Sequence, residues 1–165
     1  MAAGATYEPI ATTTLGSTQT SVTFSSIPST YTDIILVSSA AATTSTGQGY
    51  GVQFNSDTGS NYSKTFLYGN GSSAVSGRAS NQTNISISNF DASGTPNPTI
   101  AHIQNYANTT TYKTVISRGG GVANFTIAYV GLWRSTSAIT SMTLIIDSST
   151  FTSGSVFTLY GIAAA

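Results

Sequence analysis

Apolar and polar residues alternate with a period of two along most of this chain, and that pattern restricts it to sheet. Val22 and Phe24 alternate with Ser and Thr, and so do Ile85 and Ile87. Phe125, Ile127 and Tyr129 share one side of a strand, while Ala128, Val130 and Leu132 share the other. Met142, Leu144 and Ile146 form a further alternating set. Side chains at i, i+2 and i+4 line one face of a strand, so these segments call for a sheet with one buried side. Three stretches, Ile34 to Val37, Leu144 to Ile146 and Val156 to Tyr160, are apolar on both faces. Their β-branched content and turn-rich flanks favour strands, buried in mid-sandwich or under a neighbouring subunit. No segment holds a helical period over two turns, and the helix formers Lys, Glu, Gln and Leu are scarce.

Turn signals punctuate the strands at short intervals. Asn70-Gly71 is the strongest, because a type I′ hairpin needs positive φ at both centres. Others are Asp57 to Asn61, Pro96-Asn97-Pro98, Gly119-Gly120-Gly121, Asp147 to Ser149 and Ser153-Gly154-Ser155. The longest loops are expected from Ala40 to Gly49 and near Asn70 to Ser80. About nine or ten strands result, and many short strands between turn signals predict an all-β sandwich. A jelly roll is the preferred topology, with an immunoglobulin-like or lectin-like sandwich next. With no composition break and no fixed-period repeat, residues 1–165 are expected to form a single domain.

The surface such a fold presents is unusual. Only 6% of the 165 residues are charged, against about 25% in a typical domain, and the five basic and five acidic residues cancel. Ser and Thr make up about a third of the chain, yet 39% of residues are hydrophobic, so this is not a disordered composition. Short hydroxyl side chains lose little entropy on burial and carry no charge to desolvate. Near-zero net charge also gives little self-repulsion. Both properties point to a subunit that assembles. Without cysteine, disulfides, thiolate metal sites and cysteine nucleophiles are excluded. Met1 to Pro9 lacks the basic and apolar regions of a signal peptide, and no window approaches a membrane span. Six Asn-x-Ser/Thr sequons (at Asn61, Asn70, Asn81, Asn84, Asn108 and Asn124) follow from the composition alone.

Chemistry has few candidates. The one histidine, His102, would share a strand face with Ile100, Gln104 and Tyr106, the setting of a hydrogen-bonded structural histidine. No Gly-x-Ser-x-Gly elbow supplies a nucleophile beside it. The acids Glu8, Asp33, Asp57, Asp91 and Asp147 read as terminal, turn or strand-end residues rather than a hydrolase pair. Asn55, Asp57, Gly59 and Asn61 alternate as in a calcium loop but lack its closing Glu, and a hairpin turn explains them, so no metal is expected. Gly47, Gly49 and Gly51 have no helix after them to cradle a phosphate. Lys64, Arg78, Lys113, Arg118 and Arg134 make no basic stripe for nucleic acid. No enzyme activity and no cofactor are expected. Sugar binding is the serious rival to a structural role. The chain has nine Tyr and one Trp, and Trp133, Arg134, Tyr62 and Tyr68 are the candidate glycan or interface contacts. Trp133 would otherwise seal the end of the sandwich, with Arg134 capping it.

Several stretches resemble small β-rich proteins of tailed phages, particularly marine and cyanobacterial ones. They are Tyr7-Glu8-Pro9-Ile10-Ala11 with Leu15-Gly16, Thr23 to Pro28 followed by Tyr31-Thr32-Asp33-Ile34, and Gln53 to Asp57 running to Asn61-Tyr62-Ser63. Gly131-Leu132-Trp133-Arg134-Ser135 and the most characteristic stretch, Gly154 to Ile162, complete the likeness, which is thin from Gly69 to Pro98. The resemblance implies a virion structural protein of the tail, fibre or head surface, and it carries no catalytic motif. Together with the composition it predicts a non-enzymatic, homotrimeric subunit at the particle surface, made in the host cytoplasm. A head decoration (cement) protein bound to the major capsid protein is favoured, because no shaft or coiled coil is seen. The alternative is a tail or fibre component, or an adhesin for host glycans. Neither nucleic acid nor membrane is expected as a partner.

Overall fold

The structure, a computed structural model, describes residues 6–44, 49–90, 92–121 and 125–163. Gly47, Asp91 and Asn124 lie outside the described residues, as does the centre of the 40–49 loop. Twelve strands occur among the described residues: β1 (Tyr7–Thr14), β2 (Ser21–Phe24), β3 (Asp33–Ala40), β4 (Gly49–Phe54), β5 (Tyr62–Gly69) and β6 (Ala74–Gln82), then β7 (Ile85–Asn89), β8 (Asn97–Gln104), β9 (Lys113–Gly120), β10 (Thr126–Trp133), β11 (Met142–Ile146) and β12 (Val156–Ile162). They make an eight-stranded sheet, ordered β1-β12-β3-β8-β9-β10-β5-β6, and a four-stranded sheet, ordered β2-β11-β4-β7. The chain is thus an all-β sandwich of two antiparallel sheets.

Its topology is the expected jelly roll with two additions. Setting aside the hairpins β5–β6 and β9–β10 leaves eight strands, paired as β1 with β12, β2 with β11, β3 with β8 and β4 with β7. That is one long antiparallel ribbon. Folding it over sends successive pairs to alternate sheets, which is how a jelly roll arises. The two hairpins then add four strands to the large sheet beyond β8.

The period-two pattern decides what faces inward. The small sheet contributes Val22, Phe24, Val52, Phe54, Ile85 and Leu144, all buried; the large sheet answers with Ile34, Leu36, Ala101, Ile103, Val115 and Leu159. A knot of edge-on rings closes one part of this core: Phe151 packs against Tyr50 at 5.5 Å and Phe157 at 5.1 Å. Gly131 on β10 is required by packing, because a Cβ there would stand 2.1 Å from Ile85 Cγ2. Gly119 on β9 makes similar room for the buried hydroxyls of Ser88 and Thr99.

Several local expectations need correction. The structure has twelve strands where about nine or ten were expected, and the loop expected near Asn70 to Ser80 is mostly β6. β6 and β1 are the edges of the large sheet and are largely exposed, so neither carries the alternation that marks an inner strand. Pro9 is tolerated at that edge, beside a register shift in the β1–β12 pairing. The Asn70-Gly71 hairpin forms, but as a four-residue loop in which only Gly71 has positive φ. Asn70 Oδ1 accepts the N–H groups of Ser72 and Ser73 instead. Gly119, Gly120, Asn97 and Pro98 belong to strands, not turns.

Gly131→Ala is expected to lower unfolding free energy by roughly 1–3 kcal/mol, since Ile85 must move to admit the methyl group. Urea denaturation of both proteins checks this. An unchanged midpoint would contradict the packing described for Ile85.

Candidate functional site

Three of the four residues singled out from sequence meet at one corner of the sandwich. The turn between β4 and β5 places Asp57 beneath the end of β10. Its Oδ1 accepts the Gly59 N–H at 2.9 Å, and Oδ2 accepts Asn61 Nδ2 at 3.0 Å and the indole N–H of Trp133 at 2.7 Å. The Trp133 ring stacks on Tyr62 at 6.3 Å and packs against Phe54 at 5.5 Å. Tyr62 donates its hydroxyl to the Asp57 carbonyl and accepts the Phe54 N–H; burial pushes its pKa up to about 12. Arg134 ties the same turn to β6, donating to the Ser60 carbonyl at 2.6 Å and Asn81 Oδ1 at 3.0 Å.

This corner is built to hold loops. Tyr62 and Trp133 are buried, at 0% and 2% exposure, so neither ring presents a face to a ligand. Both Asp57 oxygens already have protein donors, as a turn requires and a cation would not. Asn55, with φ of 51°, does parallel work, its side chain bonding Ala138 O and the N–H groups of Thr140 and Ser141. Tyr68 lies elsewhere, half-buried on β5 among other rings.

His102 sits on the outward side of β8, its Nε2 2.9 Å from Asp33 Oδ2. Asp33 Oδ1 accepts the Asn105 N–H at 2.7 Å, so the carboxylate pins both histidine and strand end. Ile100 and Gln104 share the outward side of β8 with His102, but Tyr106 does not: it lies past the strand end and is fully buried. Lys113 is also buried; it donates to the carbonyls of Thr111 and Thr136, and burial lowers its pKa.

The feature without an internal explanation is the outer face of the large sheet. The register sets two adjacent rows across β3, β8, β9, β10 and β5: Val37, Ile100, Arg118, Ala128 and Leu67 in one, and Ile35, His102, Ile116, Val130 and Thr65 in the other. Leu67 is 62% exposed, Val130 51% and Ile116 45%. Three shallow depressions lie on this face, two of them bordered by Arg118. The outer face of the small sheet behaves differently: there Thr23 and Thr143 bond each other at 3.0 Å in an exposed hydroxyl row. One outside is thus dressed for water, and the other carries large aliphatic side chains in two adjacent rows that Arg118 and His102 interrupt. Sequence reading found the alternation of Ala128, Val130 and Leu132 but had no means of joining it to Leu67, Ile100 and Val37. Only the register does that.

No protein-family model matches the chain, and no curated protein or solved structure matches it either. The class that fold and surface define is a jelly-roll β-sandwich, extended by two hairpins, with one aliphatic outer face.

The Asp57 corner makes a prediction about acid. Burial raises the carboxyl's pKa, but the donors Trp133, Asn61 and Gly59 outweigh it, and the net shift is below the ordinary 3.8. The unfolded chain therefore takes up this proton first. The stability that the corner gives is whole above about pH 4 and lost as pH falls through the folded value. Asp57→Asn is expected to lower the Tm near neutrality, with the gap to wild type narrowing below about pH 4. A gap that stays constant between pH 6 and 3, on the scale of these carboxyl titrations, would contradict it.

Proposed function

We propose that the chain is a non-enzymatic structural subunit of a tailed-phage particle, a head decoration (cement) protein that self-associates through the outer face of its large sheet. The observation that carries this reading is the group of exposed aliphatics Val37, Ile100, Ile116, Val130 and Leu67, which lie in two adjacent rows of one sheet face with Arg118 and His102 among them. Eight strands at about 4.8 Å spacing and about seven residues in length present roughly 900 Å² in projection. A standard interface takes about 800 Å² from each partner, so this face is of the size that self-association uses. Several large aliphatic side chains exposed together on one face of an isolated domain mark a contact site.

The charged groups support a contact role rather than a reactive one. Glu8 accepts the Tyr31 hydroxyl, Asp33 holds His102, and Asp57 organises its turn. Each has a structural duty. The likeness of the motifs around Tyr7, Thr23, Gln53, Gly131 and Gly154 to phage β-rich proteins supplies the setting. In that setting the subunit coats the particle surface after synthesis in the host cytoplasm, with the major capsid protein as the shell partner. A trimer suits a site on a local three-fold axis. Burying neutral hydroxyl and aliphatic surface there adds cohesion without desolvating charge.

Sedimentation equilibrium at micromolar concentration tests the self-association. Wild type is expected at three times the 16.9 kDa chain mass, and Val130→Glu at one chain mass with its fold retained, because Val130 is already exposed. A 16.9 kDa wild-type monomer would overturn the reading.

A further inference from the structure

We propose a second, independent site: a cleft between the inner side of β5 and β10 and the edge of β7 that binds a neutral oligosaccharide. The large sheet is wider than the small one, and β7 is the small sheet's last strand. The inner side of β5 therefore projects past β7 as a shelf. On it Phe66 and Tyr68 lie nearly parallel, 6.2 Å apart with 21° between their planes, and Phe125 continues the line at 5.8 Å from Tyr68. All three rings are half-buried, so they are held in place yet reachable. Phe66 lies across Gly77 of β6, where a Cβ would stand 2.6 Å from its Cζ, and that contact keeps the ring flat on the shelf. Tyr129, buried behind them at 5.9 Å from Phe66, backs the platform.

Polar groups converge on the same space. Lys64 bonds Ser86 on β7 and stands 5.8 Å from the Tyr129 ring centre. Asn89 accepts the Tyr129 hydroxyl through Oδ1 at 2.8 Å, which fixes its amide. Asp147, exposed after β11, closes the far wall. The cleft holds about 330 Å³, within the range of small-molecule sites.

This combination selects a ligand class. A pyranose ring has flat C–H faces and an equatorial rim of hydroxyls. Aligned rings accept the faces, while an ammonium, an amide and a carboxylate address hydroxyls as donors and acceptors. Lys64 and Asp147 offset each other, so the cleft favours a neutral sugar over an anionic one. A protein loop burying an apolar side chain would want an enclosed pocket, and this site is an open shelf along which a chain can run.

Isothermal titration of the full chain with maltotetraose, cellotetraose, mannotetraose and xylotetraose tests the site. At least one of these is expected to bind with one-to-one stoichiometry. Tyr68→Ala is expected to weaken that binding roughly tenfold, the scale of one lost stacking contact. Tyr112→Ala, at an exposed tyrosine just before β9 and outside both sites, leaves it unchanged. Lys64→Gln gives a second reading that spares the platform, with a loss of similar size expected. Titrations that stay flat for all four sugars overturn the site, as does binding that neither Tyr68→Ala nor Lys64→Gln weakens. If Tyr68→Ala changes the sedimenting mass instead, the shelf is a contact between subunits and the sugar site is wrong. Failure here leaves the outer-face interface untouched, because the two sites lie on opposite sides of the large sheet.

Discussion

An eight-stranded sheet cannot bury its whole inner side against a sheet half as wide, and most of what distinguishes this protein follows from that mismatch. A plain jelly roll pairs four strands with four. Here the hairpins β5–β6 and β9–β10 both join the large sheet. β7 reaches under β9 and β10, where Ile85 fills the space above Gly131. Beyond β10 its contact with the large sheet falls away. The inner side of β5 is left with half-buried rings and a lysine where a covered strand would carry aliphatics. The same extension broadens the outer side, over which the exposed aliphatics are spread across five strands. The two added hairpins thus account for both a shelf on the inside and a wide plane on the outside.

The two outer faces show how the hydroxyl-rich composition is deployed. Thr12 bonds Thr158 at the β1–β12 end of the large sheet, and Thr23 bonds Thr143 on the small sheet. Such rows are comfortable in water and inexpensive to cover. Ionic pairing is nearly absent from the fold: among the described residues no Lys or Arg pairs with a carboxylate, and the one histidine–carboxylate contact, His102 with Asp33, sits on the outer face of the large sheet. Cohesion rests on packing and on side-chain bonds to loops, with Asp57, Asn55 and Asn108 each organising a turn through several N–H groups.

The strands with one or two buried faces were legible because burial imposes the two-residue period. Val22 with Phe24, Ile85 with Ile87, and the runs from Ile34, Met142 and Val156 all became strands of the core. β6 was not legible, since an edge strand exposed on both sides has no apolar phase to read. Trp133 and Arg134 were visible as a pair, but whether an aromatic faces core or solvent depends on what lies opposite. That is set by the distant Asp57 turn and Tyr62. The grouping of the outer-face aliphatics was invisible for the same reason. Its members are scattered from Val37 to Val130, and they become neighbours only through antiparallel register.

The account stands on the claim that the outer face of the large sheet is covered in the assembled state. A cryo-electron-microscopy map of the purified particle, with this chain fitted into it, measures that directly. The claim predicts copies repeated at symmetry positions on the head, with Ile116, Val130 and Leu67 buried against a neighbouring copy or the shell. Density placing that face in solvent, or particles without the chain on the head, would contradict it.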